Sequence, residues 1–148
     1  MTPAPRDVGA GPAGPYYEAV LGSANLPDRE RKTVLLVEDD DDVREAVEQI
    51  LIAEGFRVVT ATDGGVALAV LAQADHRFCT IILDVLMPGV DGAEFLARAR
   101  GRLCSIPVLL FSASQLPSHL RNDPQVKDLI PKPVEVEVLL EKIRAHCG

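Results

Sequence analysis

The sequence predicts a doubly wound α/β domain, in which a five-stranded parallel sheet carries helices on both faces. Short apolar runs without polar alternation, such as residues 34–37 and 80–83, are typical of strands that are covered on both sides. Amphipathic segments with helical spacing lie between these runs, and each parallel connection needs such a crossover. Because crossovers are right-handed, they distribute the helices over both faces of the sheet.

The first half of the domain contains two strand–helix pairs. Residues 34–37 are the first strand, and Gly55 ends the helix that follows. That helix has an apolar stripe with the spacing i, i+3, i+4, i+7 and i+8: Val43, Ala46, Val47, Ile50 and Leu51. Residues 56–61 are the second strand, and Asp63 can cap the next helix. The stripe of this second helix is Val66, Ala67, Val70 and Leu71.

The second half contains three further strands, at residues 80–83, 107–111 and 128–130. A helix is predicted over residues 92–100, and Pro117 and Pro124 should keep any helix between the last two strands short or distorted. Pro131 cannot donate a ladder hydrogen bond, which favours an edge position for the fifth strand. The last helix has its buried stripe at Val136, Leu139, Leu140 and Ile143.

Length and composition indicate one domain with an N-terminal extension. A chain of 148 residues, 47% hydrophobic and 25% charged, fits a single core. Residues 1–30 are rich in proline and glycine and predict a flexible tail or linker, which leaves residues 31–148 as the folded domain. Neither a membrane span nor a secretory signal is found, so we expect a cytoplasmic protein without membrane contact. The net charge of −7 argues against direct binding to nucleic acid.

The three cysteines, Cys79, Cys104 and Cys147, are spaced too widely for a metal-binding knuckle. An odd number of cysteines in a cytoplasmic protein is most simply explained by reduced thiols. We therefore expect all three to be reduced.

Polar residues follow four of the predicted strands at the point where each strand ends. Glu38 and Asp39 follow the first strand, and Asp84 ends the third. Ser112 follows the fourth and Lys132 the fifth. The carboxyl ends of parallel strands form one rim, where such sheets bind ligands. Three carboxylates at one rim repel one another, and a Mg²⁺ ion resolves this conflict because it prefers oxygen ligands.

This set of groups fits phosphoryl transfer to a carboxylate. Asp84 can attack a phosphorus atom and form an acyl phosphate. Mg²⁺ and Lys132 would neutralise the charge that spreads over the phosphoryl oxygens, and the Ser112 hydroxyl can hydrogen-bond one of them. An acyl phosphate is labile, which suits a transient signal.

Each of these residues has a simpler explanation when it is taken alone. Acids at a helix N-terminus complement the helix dipole, and for Asp40, Asp41 and Asp42 we prefer that interpretation. Lys132 alone is compatible with a surface lysine, and Ser112 alone with a turn former. Packing explains an acid directly after a buried strand poorly, so the joint arrangement carries the functional prediction.

Four motifs in this order resemble the receiver domains of bacterial response regulators over residues 33–146. Residues 34–40 match the family's opening strand and acidic pair, and residues 84–92 match its signature Asp-x-x-Met-Pro-x-x-Asp-Gly. Ser112-Ala113 and Lys132-Pro133 match the two remaining motifs. The resemblance implies a flavodoxin-like sheet with strand order 2-1-3-4-5, which serves as phosphoacceptor in a two-component His-to-Asp phosphorelay. Such a domain catalyses only its own phosphorylation and dephosphorylation, so we do not expect an enzyme.

The resemblance also assigns metal ligands and partners. Asp84 would be the phosphorylated nucleophile, and Asp39, Asp84 and the backbone carbonyl of Leu86 would bind Mg²⁺ directly. Glu38 would act through a metal-bound water. The phosphoryl donor would be a histidine kinase or a histidine phosphotransfer protein, and the output would go to a downstream protein that the sequence does not identify. A stand-alone receiver and a part of a hybrid histidine kinase both stay open.

The remaining motif residues would respond to the phosphoryl group. Ser112 would sense it, Lys132 would pair with it, and the small side chain of Ala113 would leave its path open. The peptide before Pro133 is usually cis in the family. Leu129 occupies the place of the family's switch aromatic, so an aromatic rotation is not expected here.

Two other functions are compatible with this fold. A docking module that works without phosphorylation would have no use for the complete acid trio and Lys132. A phosphatase with an aspartate nucleophile would need a second acid two residues after Asp84, where Leu86 lies instead.

Overall fold

The described part of the chain forms one five-stranded parallel sheet. In this computed structural model residues 31–73, 77–87, 89–103, 105–113 and 116–147 are described, so the tail predicted at residues 1–30 lies outside them. The strands are β1 (Thr33–Val37), β2 (Arg57–Ala61), β3 (Thr80–Asp84), β4 (Val108–Ser112) and β5 (Val126–Pro131). Their order is β2-β1-β3-β4-β5, and every neighbouring pair is parallel. The predicted fold class and strand order are confirmed.

Helices cover both faces of this sheet. They are α1 (Asp41–Ala53), α2 (Gly64–Leu71), α3 (Gly92–Leu103), α4 (Ser118–Arg121) and α5 (Val136–Cys147). Val47 of α1 and Ile143 of α5 are buried on one face, whereas Phe95 of α3 is buried on the other, together with α2 and α4. Because β3 lies at the centre, all five of its residues are buried. Among the helices of the described ranges, none is long and apolar enough to cross a membrane.

The helix caps at Asp63 and Gly55 lie where the sequence predicts them, and Asp40 is a further cap. The Asp63 side chain accepts a hydrogen bond from the Val66 N–H and so caps α2. Gly55 follows α1 with a φ of 96°, in the left-handed region that glycine adopts without steric cost. Asp40 caps α1, because its side chain accepts hydrogen bonds from the N–H groups of Asp42 and Val43. This cap holds the short loop after β1 at the carboxyl rim of the sheet.

The connection between β4 and β5 contains a single helical turn. Helix α4 has only four residues and begins directly after Pro117, as the proline pattern predicts. A cavity of about 470 Å³ lies beside this turn, and Leu110 and Leu129 are among its lining residues. Leu129 is 37% exposed on β5, which forms one edge of the sheet.

The prediction of three reduced thiols is wrong for two of the cysteines. Cys79 and Cys147 form a disulfide with an S–S distance of 2.05 Å and a Cα–Cα distance of 5.1 Å. Cys79 directly precedes β3, and Cys147 is the last residue of α5. The two are 68 residues apart in the chain, so spacing alone did not reveal that the end of α5 packs against the start of β3. Cys104 lies outside the described residues.

Candidate functional site

The ends of four strands bring the predicted site residues to one rim of the sheet. Glu38 follows β1, Asp84 ends β3, Ser112 ends β4 and Lys132 follows β5. In the register of the sheet Asp84 pairs with Phe111, one residue before Ser112. The predicted convergence of these groups follows directly from the parallel topology.

An acid cluster with one lysine forms the centre of the site. One carboxylate oxygen from each of Glu38, Asp39 and Asp84 lies within 4.8 Å of the others. Glu38 and Asp84 are buried, whereas Asp39 is exposed. Lys132 Nζ lies 2.8 Å from Glu38 Oε1 and 3.4 Å from Asp84 Oδ1. The lysine therefore pairs with two of the three acids at once.

The acidic groups fit a divalent cation. Glu38 Oε1 is buried and accepts no hydrogen bond of good geometry, although it is ion-paired with Lys132. Such an oxygen can still coordinate a metal ion or accept a hydrogen bond from a metal-bound water. Because three carboxylates face one ammonium group, two negative charges are left, which matches the charge of Mg²⁺.

Burial raises the pKa of Asp84 to about 7. Desolvation is the largest cause, the hydrogen bond and charge of Glu38 and the hydrogen bond of Asp39 add to it, and Lys132 acts in the opposite direction. Burial lowers the pKa of Lys132, but Glu38 and Asp84 outweigh this effect and raise it above 10.5. Ionisation of Asp84 is thus unfavourable near neutral pH. A further positive charge at the rim would favour the ionised form.

The run of acids after β1 divides into two groups. Asp40 is the N-cap of α1, and Asp41 and Asp42 lie exposed in its first turn, as the helix-dipole interpretation predicts. Arg44 NH1 donates a hydrogen bond to the backbone carbonyl of Glu38 at 3.0 Å. This contact holds the loop that positions Glu38, and no local pattern in the sequence indicates it.

The end of the loop after β3 requires a glycine at position 92. A Cβ atom on Gly92 would lie 2.9 Å from Val85 Cα and 3.0 Å from the Asp84 carbonyl oxygen, so only glycine fits. The Gly92 N–H donates to the Val85 carbonyl at 3.0 Å and closes the loop. Asp91 accepts a hydrogen bond from the Glu94 N–H at the start of α3, which gives it a capping role. These contacts hold the start of α3 next to Asp84.

Leu86 presents its backbone to the site and its side chain to solvent. Its N–H donates to Asp84 Oδ1 at 3.3 Å, while 70% of the residue is exposed. Its predicted carbonyl contact with Mg²⁺ stays a prediction.

The far side of the site contains an aromatic residue, Phe111, that no sequence motif indicates. Lys132 Nζ lies 4.7 Å from the centroid of the Phe111 ring, which gives the lysine a cation–π contact. The sequence pattern predicts only a strand position for Phe111. The peptide between Lys132 and Pro133 is cis, as the resemblance implies. Ser112 and Ala113 line the cavity beside α4 together with Lys132, so they lie next to the acid cluster on its β4 side.

These features define a class of protein: a doubly wound α/β domain with an acid trio and a paired lysine at the carboxyl rim of its sheet. The chain belongs to the response regulator receiver domain family, which matches residues 34–144. It is thus a receiver domain of the two-component signalling type, and the predicted family and general function are confirmed. Response regulators of this family interact with histidine kinases and downstream effectors, and the acidic site of the family binds Mg²⁺.

Similar proteins support this assignment. The transcriptional regulatory protein AfsQ1 of Streptomyces coelicolor is 37% identical over 115 residues, which are 76% of this chain and 50% of AfsQ1. The chain spans about half the length of the curated relatives it matches. The receiver domain of the hybrid histidine kinase CckA is 33% identical, with a TM-score of 0.68 over 78% of this chain and 99% of that domain.

A third similar protein is the receiver domain of the sensor histidine kinase PA1611 of Pseudomonas aeruginosa, whose crystal structure has a magnesium ion coordinated in the active site cleft. It is 24% identical, with a TM-score of 0.70 over 80% of this chain and 98% of that domain. At this identity the likeness supports the fold alone.

Proposed function

We propose that Asp84 accepts a phosphoryl group from a phosphohistidine in a reaction that requires Mg²⁺. The observation that carries the proposal is the setting of the Asp84 carboxylate, which is buried, lies 3.4 Å from Lys132 Nζ, and shares the rim with oxygens of Glu38 and Asp39. Packing alone does not account for a buried carboxylate among other acids, because uncompensated buried charge costs stability.

The side chains at the rim would each take one part in the transfer. An Asp84 oxygen attacks the phosphorus atom, an oxygen–phosphorus bond forms, and the phosphorus–nitrogen bond of the donor imidazole breaks. The imidazole nitrogen keeps that electron pair and takes a proton from water. Lys132 forms an ion pair with the incoming phosphoryl oxygens, and the Ser112 hydroxyl donates a hydrogen bond to one of them. Mg²⁺, when bound, supplies positive charge that favours ionised Asp84 and neutralises the phosphoryl oxygens.

The proposed metal ligands differ in how directly they contact the ion. Asp39 and Asp84 would bind it directly, together with the backbone carbonyl of Leu86. Glu38 would hold one of its waters, because its Oε2 already accepts the Asp40 N–H at 3.0 Å and its Oε1 is paired with the lysine. Mg²⁺ retains several waters in such sites, which suits a cluster with few protein oxygens.

The test of this function is to locate the modified residue. The protein is treated with acetyl phosphate and Mg²⁺, and borohydride then reduces any acyl phosphate to the alcohol, which turns aspartate into homoserine. Peptide mass mapping should find homoserine at position 84 only, and none when EDTA replaces Mg²⁺. Homoserine at position 39 or 91, or labelling that persists in EDTA, would contradict the proposal.

Mg²⁺ affinity should depend on Asp39 and not on the exposed acids in the first turn of α1. We expect Asp39→Ala to weaken binding at least about tenfold, since a direct ligand is lost from a site with few protein oxygens. Asp42→Ala is the matched control, because Asp42 lies exposed in the first turn of α1. Isothermal titration calorimetry of both variants measures the effect. Equal losses would indicate a diffuse acidic patch without a defined site.

Leu86 should prolong the life of the phosphorylated state. In this family the residue two after the phosphoacceptor helps to position the hydrolytic water, and a leucine there offers no hydrogen bond. Because Leu86 is 70% exposed, Leu86→Asn should leave the fold intact and speed dephosphorylation several-fold. The decay of the phosphorylated protein, followed by intact mass, measures this rate. An unchanged or slower decay would mean that Leu86 does not affect the water.

An apolar groove borders the approach to Asp84 and suits the phosphohistidine donor. Its volume is about 300 Å³ and its lining is formed by Asp42, Val43, Ala46, Phe111, Lys132, Pro133 and Val134. The groove therefore lies between the first turns of α1 and the loop after β5, next to the acid cluster. An amphipathic helix can place its apolar face in such a groove. We assign the groove to the helix that carries the donor histidine in a histidine kinase or a histidine phosphotransfer protein.

Blocking this groove should impair phosphorylation by phosphohistidine proteins but not phosphorylation by acetyl phosphate. Ala46→Arg places a long charged side chain at an exposed lining position, so we expect transfer from phosphohistidine proteins to fall at least about tenfold, as interface hot spots do. Labelling by acetyl phosphate should stay unchanged, because the small donor does not need the groove. Gln49→Arg is the control, since it adds the same group on α1 outside the lining.

The measurement is phosphotransfer from a panel of phosphorylated histidine kinases and phosphotransfer domains. If Ala46→Arg and Gln49→Arg accept phosphoryl groups equally from every active donor, the donor docks elsewhere. If Ala46→Arg also loses labelling by acetyl phosphate, the substitution has damaged the site itself.

A further inference from the structure

The Cys79–Cys147 disulfide lies beside a basic cavity at the amino edge of the sheet. Cys79 directly precedes β3, whereas Asp84 ends it, so the two sites are separated by the length of the strand, roughly 16 Å. A cavity of about 260 Å³ adjoins Cys79. Three cationic residues line this cavity, along with Thr33 and Phe78: Arg31, Lys32 and Arg77.

The two sulfur atoms differ in how far a solute can reach them. Cys147 is 7% exposed at the end of α5, whereas Cys79 is partly exposed and itself lines the cavity. A thiol that enters from solvent therefore meets Cys79 first. The cations of the cavity attract anions, so they favour the approach of a thiol that carries negative charge. The thiolate of such a thiol is the form that reacts with disulfides.

We propose that Cys79 and Cys147 are a reversible thiol–disulfide exchange site, in which the basic cavity receives an anionic low-molecular-weight thiol or its disulfide. The chemical class is a small thiol that carries free carboxylates, as glutathione does. This site is independent of the phosphoryl-transfer site, and its test does not require Asp84 to react.

The two electrons of the reduction come from two molecules of the small thiol. A small thiolate attacks Cys79 Sγ, a mixed disulfide forms, and the Cys79–Cys147 bond breaks with its electron pair on Cys147 Sγ, which takes a proton. A second small thiolate attacks the small-molecule sulfur of the mixed disulfide. The symmetrical small disulfide leaves, and the Cys79 thiolate takes a proton. The protein gains two electrons and two protons while two thiols become one disulfide, and oxidation follows the same steps in reverse.

Reduction should loosen the end of α5 without unfolding the domain. Lys142 forms an ion pair with Asp128 Oδ1 at 2.7 Å, and His146 Nε2 lies 3.5 Å from Asp128 Oδ2, so contacts with β5 still hold the last turns of the helix. Arg144 also pairs with Glu54 at the end of α1. The structural effect of exchange is therefore expected to stay local to the end of α5.

The order of attack can be tested by trapping the mixed disulfide. In a Cys104→Ser background, Cys147→Ser leaves Cys79 alone and Cys79→Ser leaves Cys147 alone. With glutathione disulfide we expect the Cys79 protein to form the mixed disulfide at least about tenfold faster, because exposure and neighbouring cations govern thiol reactivity. Intact mass measures both rates. Equal rates, or faster reaction at Cys147, would overturn the proposed site.

The preference for anionic thiols is tested on the unmutated protein and on a variant that lacks one exposed cation of the cavity. Reduction by glutathione, mercaptoethanol and cysteamine is timed, and each rate is divided by the rate for an unstructured disulfide peptide. Glutathione should have the highest ratio, and Arg77→Gln should lower only that ratio, by about threefold for one partly screened charge. Equal ratios for the three thiols would overturn the proposal. So would Cys79 and Cys147 remaining free thiols after equilibration with glutathione disulfide.

Discussion

Asp84→Asn is expected to abolish phosphorylation by acetyl phosphate, with a loss of at least about a thousandfold in rate, as for other removed nucleophiles. An amide oxygen is a poor nucleophile, and Asn keeps the size of Asp84, so the fold should stay intact. The substitution also removes one of three close acids, so the metal-free variant should be no less stable than the parent protein. Intact mass after incubation with Mg²⁺ and acetyl phosphate measures the loss.

The control for this substitution is Asp42→Asn. Asp42 lies exposed in the first turn of α1, where the same change removes the same charge without touching the acid cluster. It should be phosphorylated at the parent rate. A phosphoryl adduct retained in Asp84→Asn would assign the chemistry to another residue, whatever the behaviour of the control.

Lys132→Met should lower both stability and the rate of phosphorylation. The substitution leaves the buried carboxylates of Glu38 and Asp84 without the ammonium group that lies 2.8 Å and 3.4 Å from them. We expect a loss on the order of 2 kcal/mol in the free energy of unfolding, less than for a fully buried pair because the lysine side chain is 21% exposed. The loss should be largest well above pH 7, where Asp84 is ionised, because its pKa is raised to about 7.

A control variant distinguishes the specific effect of Lys132→Met from the general effect of losing a lysine ion pair. Lys142→Met is the matched control, because Lys142 is 26% exposed and pairs with Asp128 at 2.7 Å away from the rim. Urea unfolding in EDTA and in Mg²⁺ measures both variants, and Mg²⁺ should restore stability to Lys132→Met only. If both variants lose the same stability and neither responds to Mg²⁺, Lys132 acts as an ordinary surface partner and not as part of the site.

Local sequence patterns were sufficient for the strands and helices and for the polar groups at the rim. Apolar runs and helical stripes predicted five strands that alternate with helices, because burial on two faces imposes the apolar runs. The resemblance to the receiver family supplied the strand order. Asp84 and Lys132 could be placed together because parallel strands present their carboxyl ends on one side of the sheet. The short α4 followed from Pro117, which acts on the backbone next to it.

Contacts between distant parts of the chain were decided only by the tertiary structure. Phe111 lies under Lys132 because β4 and β5 are adjacent, and no local pattern distinguishes that phenylalanine from any other strand residue. Cys79 and Cys147 meet because α5 returns across the sheet to the start of β3, which contradicted the expectation of reduced thiols. Sequence alone thus determined the fold, the family and the convergence of three acids and a lysine at one rim of the sheet. Packing decided how the lysine is held and which cysteines meet, because both depend on side chains that only folding brings together.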